Sequence, residues 1–232
     1  MKAAVREGIA RDIVAVVPVK EFALAKQRLA GTFPPDFRAQ LARTMLRDVL
    51  EALRASEGLA GIVVVTADPE AGLLAREVGA RLMVEKEACG LNQAVAEAAT
   101  RLTGEGRGGM LVLPSDIPAV TPEEIGRLLA AHGRDRAVSL VCAHDGQGTN
   151  ALLATPPDAL DFGYGPSSFS THFAMAMARG IVPRGHDAAA FPRLALDIDT
   201  PADVARLGMS SAGRHTRRLL EDAGLRPEMP RR

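Results

Sequence analysis

Ile13-Val-Ala-Val-Val-Pro-Val-Lys20 decides the reading of the fold, because it is apolar at every position until Lys20 and rich in β-branched residues. A strand with one wet face alternates apolar and polar residues. One that is apolar throughout has both faces covered, as in a parallel sheet flanked by helices. The same texture returns in Ile62-Val-Val-Val65, Met110-Leu-Val-Leu113 and Val138-Ser-Leu-Val141, each bounded by turn residues. Between the first two runs Phe37, Leu41, Met45, Val49 and Leu53 recur at every fourth position, which lines one helical face. Further helices are expected over 69–79, 89–102, 121–132 and 201–208. Thr121 would cap the helix at 121–132, with Pro122 at its first position and Glu124 completing a capping box. Strands and helices alternate, so the expected fold is α/β: one doubly wound, mostly parallel sheet with right-handed crossovers and helices on both faces. Residues 12–208 would form this domain, preceded by an N-terminal extension over 1–11 and followed by a basic C-terminal helix or tail over 209–232. That tail would be a surface helix or an assembly contact, such as that of a homodimer.

The composition narrows the class. A chain of 232 residues suffices for one large domain. Hydrophobic residues at 47% and charged residues at 24% exclude a disordered or fibrous protein. Aromatics are only 3% and tryptophan is absent, so the core must rest on Ala, Val and Leu. Basic and acidic residues balance at 28 each, which gives no global attraction for nucleic acid or an anionic membrane. Any anion must be held by a local site. Cys89 and Cys142 lack metal-ligand spacing and a disulfide framework, and both read as small core fillers. No apolar run approaches the roughly 20 residues that span a bilayer. The run at 13–19 is too short for a signal peptide and lacks a cleavage pattern, so a cytoplasmic protein is expected.

Ligands of doubly wound sheets sit beyond the carboxyl ends of the strands. The residues there are Pro18, Val19 and Lys20; Thr66, Ala67 and Asp68; and Pro114, Ser115 and Asp116. In Leu113-Pro-Ser-Asp-Ile-Pro118, Asp116 either offers an oxygen to magnesium or merely caps a turn. In Leu196-Asp-Ile-Asp-Thr-Pro-Ala-Asp203, Asp197 and Asp199 alternate across an extended segment. One would face the metal while the other, with Thr200, caps the helix beginning at Pro201. Magnesium held by two carboxylates completes its octahedron with water and phosphate oxygens. Lys20, Lys26 and Arg28 place three cations near the mouth of the crevice, which suits a triphosphate; taken alone, such a cluster is an ordinary solvated loop. No Walker GxxxxGK[ST] and no GxGxxG follows the first strand. Gly146-Gln-Gly-Thr-Asn-Ala-Leu-Leu153 and Phe162-Gly-Tyr-Gly-Pro-Ser-Ser-Phe-Ser-Thr-His172 join glycines to hydroxyls and an amide, as a pocket for phosphate or carboxylate would. His172 reads as structural or as a hydrogen-bond donor, and His132, His144, His186 and His215 receive no role. Neither a Ser/His/Asp set nor a GxSxG elbow can be assembled, so covalent catalysis has no support.

Taken in order, PVKxxxxAKxRL, the VVTAD turn, Gly90-Leu-Asn92, LPSDIP, GxGTNALL, GYGPSSFxxH and LDIDTPAD resemble the guanylyltransferases that make the phospho-acid precursor of the deazaflavin coenzyme F-420. Members of that family act on phospholactate, phosphoenolpyruvate or 3-phosphoglycerate. The resemblance runs from about residue 13 to residue 208 and implies a fold like that of sugar-nucleotide and molybdopterin nucleotidylyltransferases. It implies Asp116 and Asp197 as magnesium ligands, with Asp199 as the substitute, and Lys20, Lys26 and Arg28 facing the triphosphate of GTP. Thr66, Asp68, Gly90 and Asn92 would border the guanosine. Thr149, Asn150, Gly165, Ser167 and Ser168 would hold the acceptor acid. Ser167 stands where the family pattern leads one to expect glycine, which leaves the hydroxyls of Ser167 and Ser168 as alternative contacts. A nucleotidylyltransferase for another base or acceptor, and a non-catalytic nucleotide sensor, are the competing readings.

Overall fold

The computed structural model describes residues 12–85, 90–133, 135–208 and 211–225. The extension at 1–11, Cys89 and the end of the tail lie outside them. β1 (Ile13–Pro18) runs parallel to β2 (Leu59–Thr66) on one side and to β4 (Gly109–Val112) on the other, while β2 runs parallel to β3 (Arg81–Val84). Beyond β4 come β6 (Thr149–Thr155), β5 (Ala137–Cys142) and β7 (Arg184–His186), giving a seven-stranded sheet of order β3-β2-β1-β4-β6-β5-β7. β6 is antiparallel to β4 and β5, and every other pairing is parallel. The sheet is thus mostly parallel, as expected, with one reversed strand built from residues quoted above as a pocket loop.

Alternate residues of β1 enter two separate cores, as a strand's two-residue period requires. Ile13, Ala15 and Val17 meet the apolar stripes of α1 (Pro35–Ala55), α2 (Pro69–Glu77), α4 (Pro122–Ala131), α6 (Pro201–Gly208) and α7 (Arg214–Asp222). Val14 and Val16 meet α3 (Leu91–Gly104) and α5 (Ser168–Ala178). The fourfold recurrence read in the sequence forms the buried side of α1, where Leu41, Met45, Val49 and Leu53 are at most 1% exposed.

Three local contacts position the ends of the strands. Asp68 caps α2, its Oδ1 accepting from Glu70 N (2.8 Å) and Ala71 N (3.1 Å). Thr121 caps α4 through Glu124 N (3.4 Å), but the expected capping box is only half formed. Glu124 is buried, and its carboxylate accepts instead from Arg193 N (3.1 Å) and Leu194 N (2.8 Å), amides that have no helix or strand to satisfy them. It thereby braces the segment that leads into residues 196–203. In the tail, α7 lies on α1, where buried Asp48 accepts from His215 N (3.0 Å) and Thr216 N (2.8 Å). Gly213 precedes α7 at φ +70°, and a Cβ there would lie 3.1 Å from the carbonyl oxygen of Pro118. No helix among the described residues is long and apolar enough to cross a membrane.

Candidate active site

The backbone N–H of Ile198 donates to the carbonyl of Asp116 at 3.0 Å, which docks the two aspartate-bearing segments on each other. Lys26 closes the group: its Nζ lies 2.6 Å from Asp116 Oδ2 and 2.8 Å from Asp199 Oδ1. Arg28 Nη1 adds a bond of 3.1 Å to Asp199 Oδ2. Lys26 adopts a left-handed backbone (φ +54°). The buried guanidinium of Arg38 holds that turn by donating to the carbonyls of Ala25 (3.5 Å) and Lys26 (3.4 Å). Burial works against the Lys26 ammonium, yet the combined attraction of Asp116 and Asp199 outweighs it and holds the pKa above the usual lysine value.

Asp197 leans the other way, toward β6. Its Oδ1 accepts from Asn150 Nδ2 at 3.0 Å and lies 3.3 Å from His144 Nδ1. Burial pushes its carboxyl pKa up, the bond from Asn150 works against that, and neighbouring Asp116 and Asp199 raise it further. Thr200 caps α6 as expected, its Oγ1 accepting from Asp203 N (3.4 Å), but the expectation that Asp197 or Asp199 shares the cap is corrected: Asp203 does so. Its Oδ2 accepts from Thr200 N (2.8 Å), Thr200 Oγ1 (2.7 Å) and Asp199 N (3.2 Å). Asp203 can turn back from within the first helical turn, which frees both earlier carboxylates: Asp199 meets Lys26 and Arg28, and Asp197 meets Asn150 and His144.

Three mutually repelling carboxylates at the end of a sheet are a donor set suited to a hard divalent cation. Among the described residues no three His, Cys, Asp or Glu side chains already converge as a metal cage. The residues fit an ion held by two carboxylates that takes its remaining ligands from water and phosphate.

The other expected residues divide between backbone support and the crevice. Lys20 is exposed and forms no ion pair among the described residues. Thr66 is buried and accepts from Asp68 N (3.0 Å), while Asp68 Oδ2 accepts from Phe22 N (2.8 Å), so this pair anchors the loop carrying Lys20 and Lys26. Gly90 (φ +89°) begins α3, and Asn92 in its first turn grips the backbone of Tyr164. The Asn92 amide donates to Tyr164 O (3.1 Å) and accepts from Tyr164 N (2.6 Å). Gly165 and Ser167 are exposed on the same loop. Ser168 is buried, with its Oγ accepting from Thr149 N at 3.0 Å. His172, fully buried, accepts at Nε2 from Gly163 N (3.0 Å), so its Nδ1 carries the proton and donates to Thr149 Oγ1 (3.0 Å). Burial lowers its pKa to about 4, which keeps the ring neutral and structural.

The sequence profile of the family described as guanylyl transferase CofC like matches residues 13–231. The chain belongs to that family. Among curated relatives, the phosphoenolpyruvate guanylyltransferase of Rubrobacter xylanophilus is 41% identical over 199 residues, covering 86% of this chain and 95% of the relative. That of Conexibacter woesei is 37% identical over 212 residues, covering 89% and 94%. A solved structure from Desulfovibrio desulfuricans G20, described as a candidate nucleotide-diphospho-sugar transferase, superposes with a TM-score of 0.71 at 18% identity, covering 91% of this chain and 95% of that one. At that identity the likeness concerns the fold.

Within this candidate site, sequence reading missed His144. Its Nε2 lies 2.9 Å from Asp203 Oδ1 while Nδ1 faces Asp197. Ligand spacing gave no signal for it, because both partners are remote in sequence. Asp203 stood inside the quoted LDIDTPAD motif, but nothing in the motif said which aspartate would cap the helix.

Proposed function

We propose that this chain is a magnesium-dependent, cytoplasmic guanylyltransferase that transfers GMP from GTP to the phosphate of a three-carbon phospho-acid, releasing pyrophosphate, in coenzyme F-420 biosynthesis. Phosphoenolpyruvate is the first candidate acid because the curated relatives carry its name; 3-phospho-D-glycerate and 2-phospho-L-lactate are the others. One observation carries the reading: the segment at 113–118 is bonded to the segment at 196–203 at a strand end, with Lys26 and Arg28 against their carboxylates.

GTP and a phospho-acid are both multiply charged, so repulsion opposes their approach. Neutralising and aligning them therefore supplies most of the acceleration. Lys26 and Arg28, with Lys20 at the crevice mouth, receive the triphosphate, for which the Lys26 ammonium exchanges its carboxylate partners. Asp116 and Asp197, with Asp199 as the substitute, would hold magnesium, which when bound neutralises phosphate charge and orients phosphate oxygens. No side chain need act as general base, since a phosphate monoester with a second pKa of about 6 is already largely ionised at neutral pH.

Gly90 and Asn92 border the guanosine, with Thr66 and Asp68 supporting the loop behind it. Thr149, Asn150, Gly165 and Ser167 surround the acceptor. Ser167 is assigned the contact because the Ser168 hydroxyl is committed to Thr149 N. The test is pyrophosphate release from purified protein, GTP and magnesium with each acid in turn. Release with phosphoenolpyruvate is expected. Release with CTP or a sugar phosphate but not with GTP would point to another nucleotidylyltransferase, and no release with any pair would indicate a sensor.

A further inference from the structure

His144 has each ring nitrogen against a carboxylate oxygen, Nδ1 against Asp197 and Nε2 against Asp203. Its own N–H donates to the Ala195 carbonyl (2.8 Å), the same oxygen that receives Asn150 Nδ2 (2.9 Å). The ring is therefore fixed at its base and lies between the two carboxylates, to both of which it donates only as the imidazolium. Asp197 Oδ1 takes the contacts from Asn150 and His144 together, and neither contact falls on Oδ2. Capping α6 occupies only Asp203 Oδ2, so helix capping does not account for the contact at Oδ1.

We propose that Asp203 and His144 form a positioning relay, which locks one oxygen of Asp197 so that the other is held ready for a divalent cation. The relay rests on the metal reading above. Neither residue touches the reacting atoms in this scheme. Through Asp203 Oδ2, the same carboxylate also fixes the backbone N–H of Asp199, so one buried group sets the geometry of both flanking aspartates. Residues that orient metal ligands in this way typically change metal affinity by about 10–100-fold when removed.

Mn2+ binding, measured by electron paramagnetic resonance with and without a non-hydrolysable GTP analogue, tests the relay on the intact protein. His144→Ala should weaken Mn2+ binding by about tenfold or more. His144→Asn, whose amide nitrogen sits near the place of Nδ1 but cannot reach Asp203, should restore part of the affinity, whereas His144→Gln, which reaches the place of Nε2, should restore none. Asp116→Asn serves as the control for the metal reading, and thermal melting is followed for every variant. Mn2+ binding by His144→Ala within twofold of the wild type, alongside a loss in Asp116→Asn, would overturn the relay and leave the metal site standing. Equal behaviour of His144→Asn and His144→Gln, or affinity that merely tracks melting temperature, would also overturn it. Binding unaffected in Asp116→Asn would sink the metal reading and the relay together.

Discussion

Asp116→Asn replaces a carboxylate with a neutral amide of the same shape, so it separates charge from packing. Asp116 lies 2.6 Å from Lys26, with side-chain exposures of 27% and 7%. Breaking a fully buried ion pair costs about 3–5 kcal/mol, and an exposed pair is worth less than about 1 kcal/mol. This pair lies between those limits, Lys26 keeps Asp199 at 2.8 Å, and the change relieves the crowding felt by Asp197. The expected loss is therefore about 1 kcal/mol, or about 2–4 °C in melting temperature for a protein of this size. Turnover should respond on a different scale, since removing a group that stabilises transition-state charge costs about 100–1,000-fold. Calorimetry and pyrophosphate release on one preparation give both quantities. Turnover within tenfold of the wild type would take Asp116 out of the metal site, and a melting temperature lower by more than about 10 °C would make it a structural residue instead.

Asn92→Ala removes both bonds to Tyr164 and frees the acceptor loop; the KM for the phospho-acid should rise about tenfold with little change in melting temperature, and steady-state kinetics with varied acid would show it. Ser167→Gly relieves a left-handed backbone (φ +57°), so urea unfolding should show up to about 1 kcal/mol of added stability. In that same variant the KM for the acid should increase if the Ser167 hydroxyl contacts it. His172 has a pKa lowered by burial from 6.5 to about 4, so the stability of its neutral form is present above pH 6.5 and is lost as the pH falls through about 4. Urea unfolding at pH 7 and pH 4 should show a loss of about 2–3 kcal/mol in the wild type beyond that in His172→Gln, at 1.36 kcal/mol per pKa unit.

The short, partly exposed β3 and β7 carried no apolar run and were not read as strands, whereas β1, β2, β4 and β5 were legible because strands covered on both faces must be largely apolar, as Ile13–Val19 is. β6 was not. Thr149 and Asn150 open it with two polar residues after a glycine-rich stretch, which is the signature of a loop, and tertiary pairing with β4 and β5 overrides it. The pairing of the two aspartate segments was legible from motif position alone, since both follow predicted strands or precede predicted helices. The division of labour among Asp197, Asp199 and Asp203 was not, because their partners Lys26, Asn150 and His144 become neighbours only in the folded chain. Ser168 and Thr66 show the same limit, as their hydroxyls are spent on backbone groups that become neighbours only in the folded chain.

The reversed strand has a consequence for how this pocket can change. β1, β2 and β4 contribute residues where they end, whereas β6 contributes Thr149 and Asn150 where it starts: Thr149 is opposite Cys142 of β5, Asn150 lies at the register shift between Val141 and Cys142, and pairing with β4 begins only at Leu152. A one-residue slip would turn Asn150 to the opposite face of the sheet. Insertions confined to the turn at 145–148 can therefore reshape the rim while the bonds of Asn150 to Ala195 and Asp197 and the contacts of His144 are kept, and new acceptor preferences are best sought there.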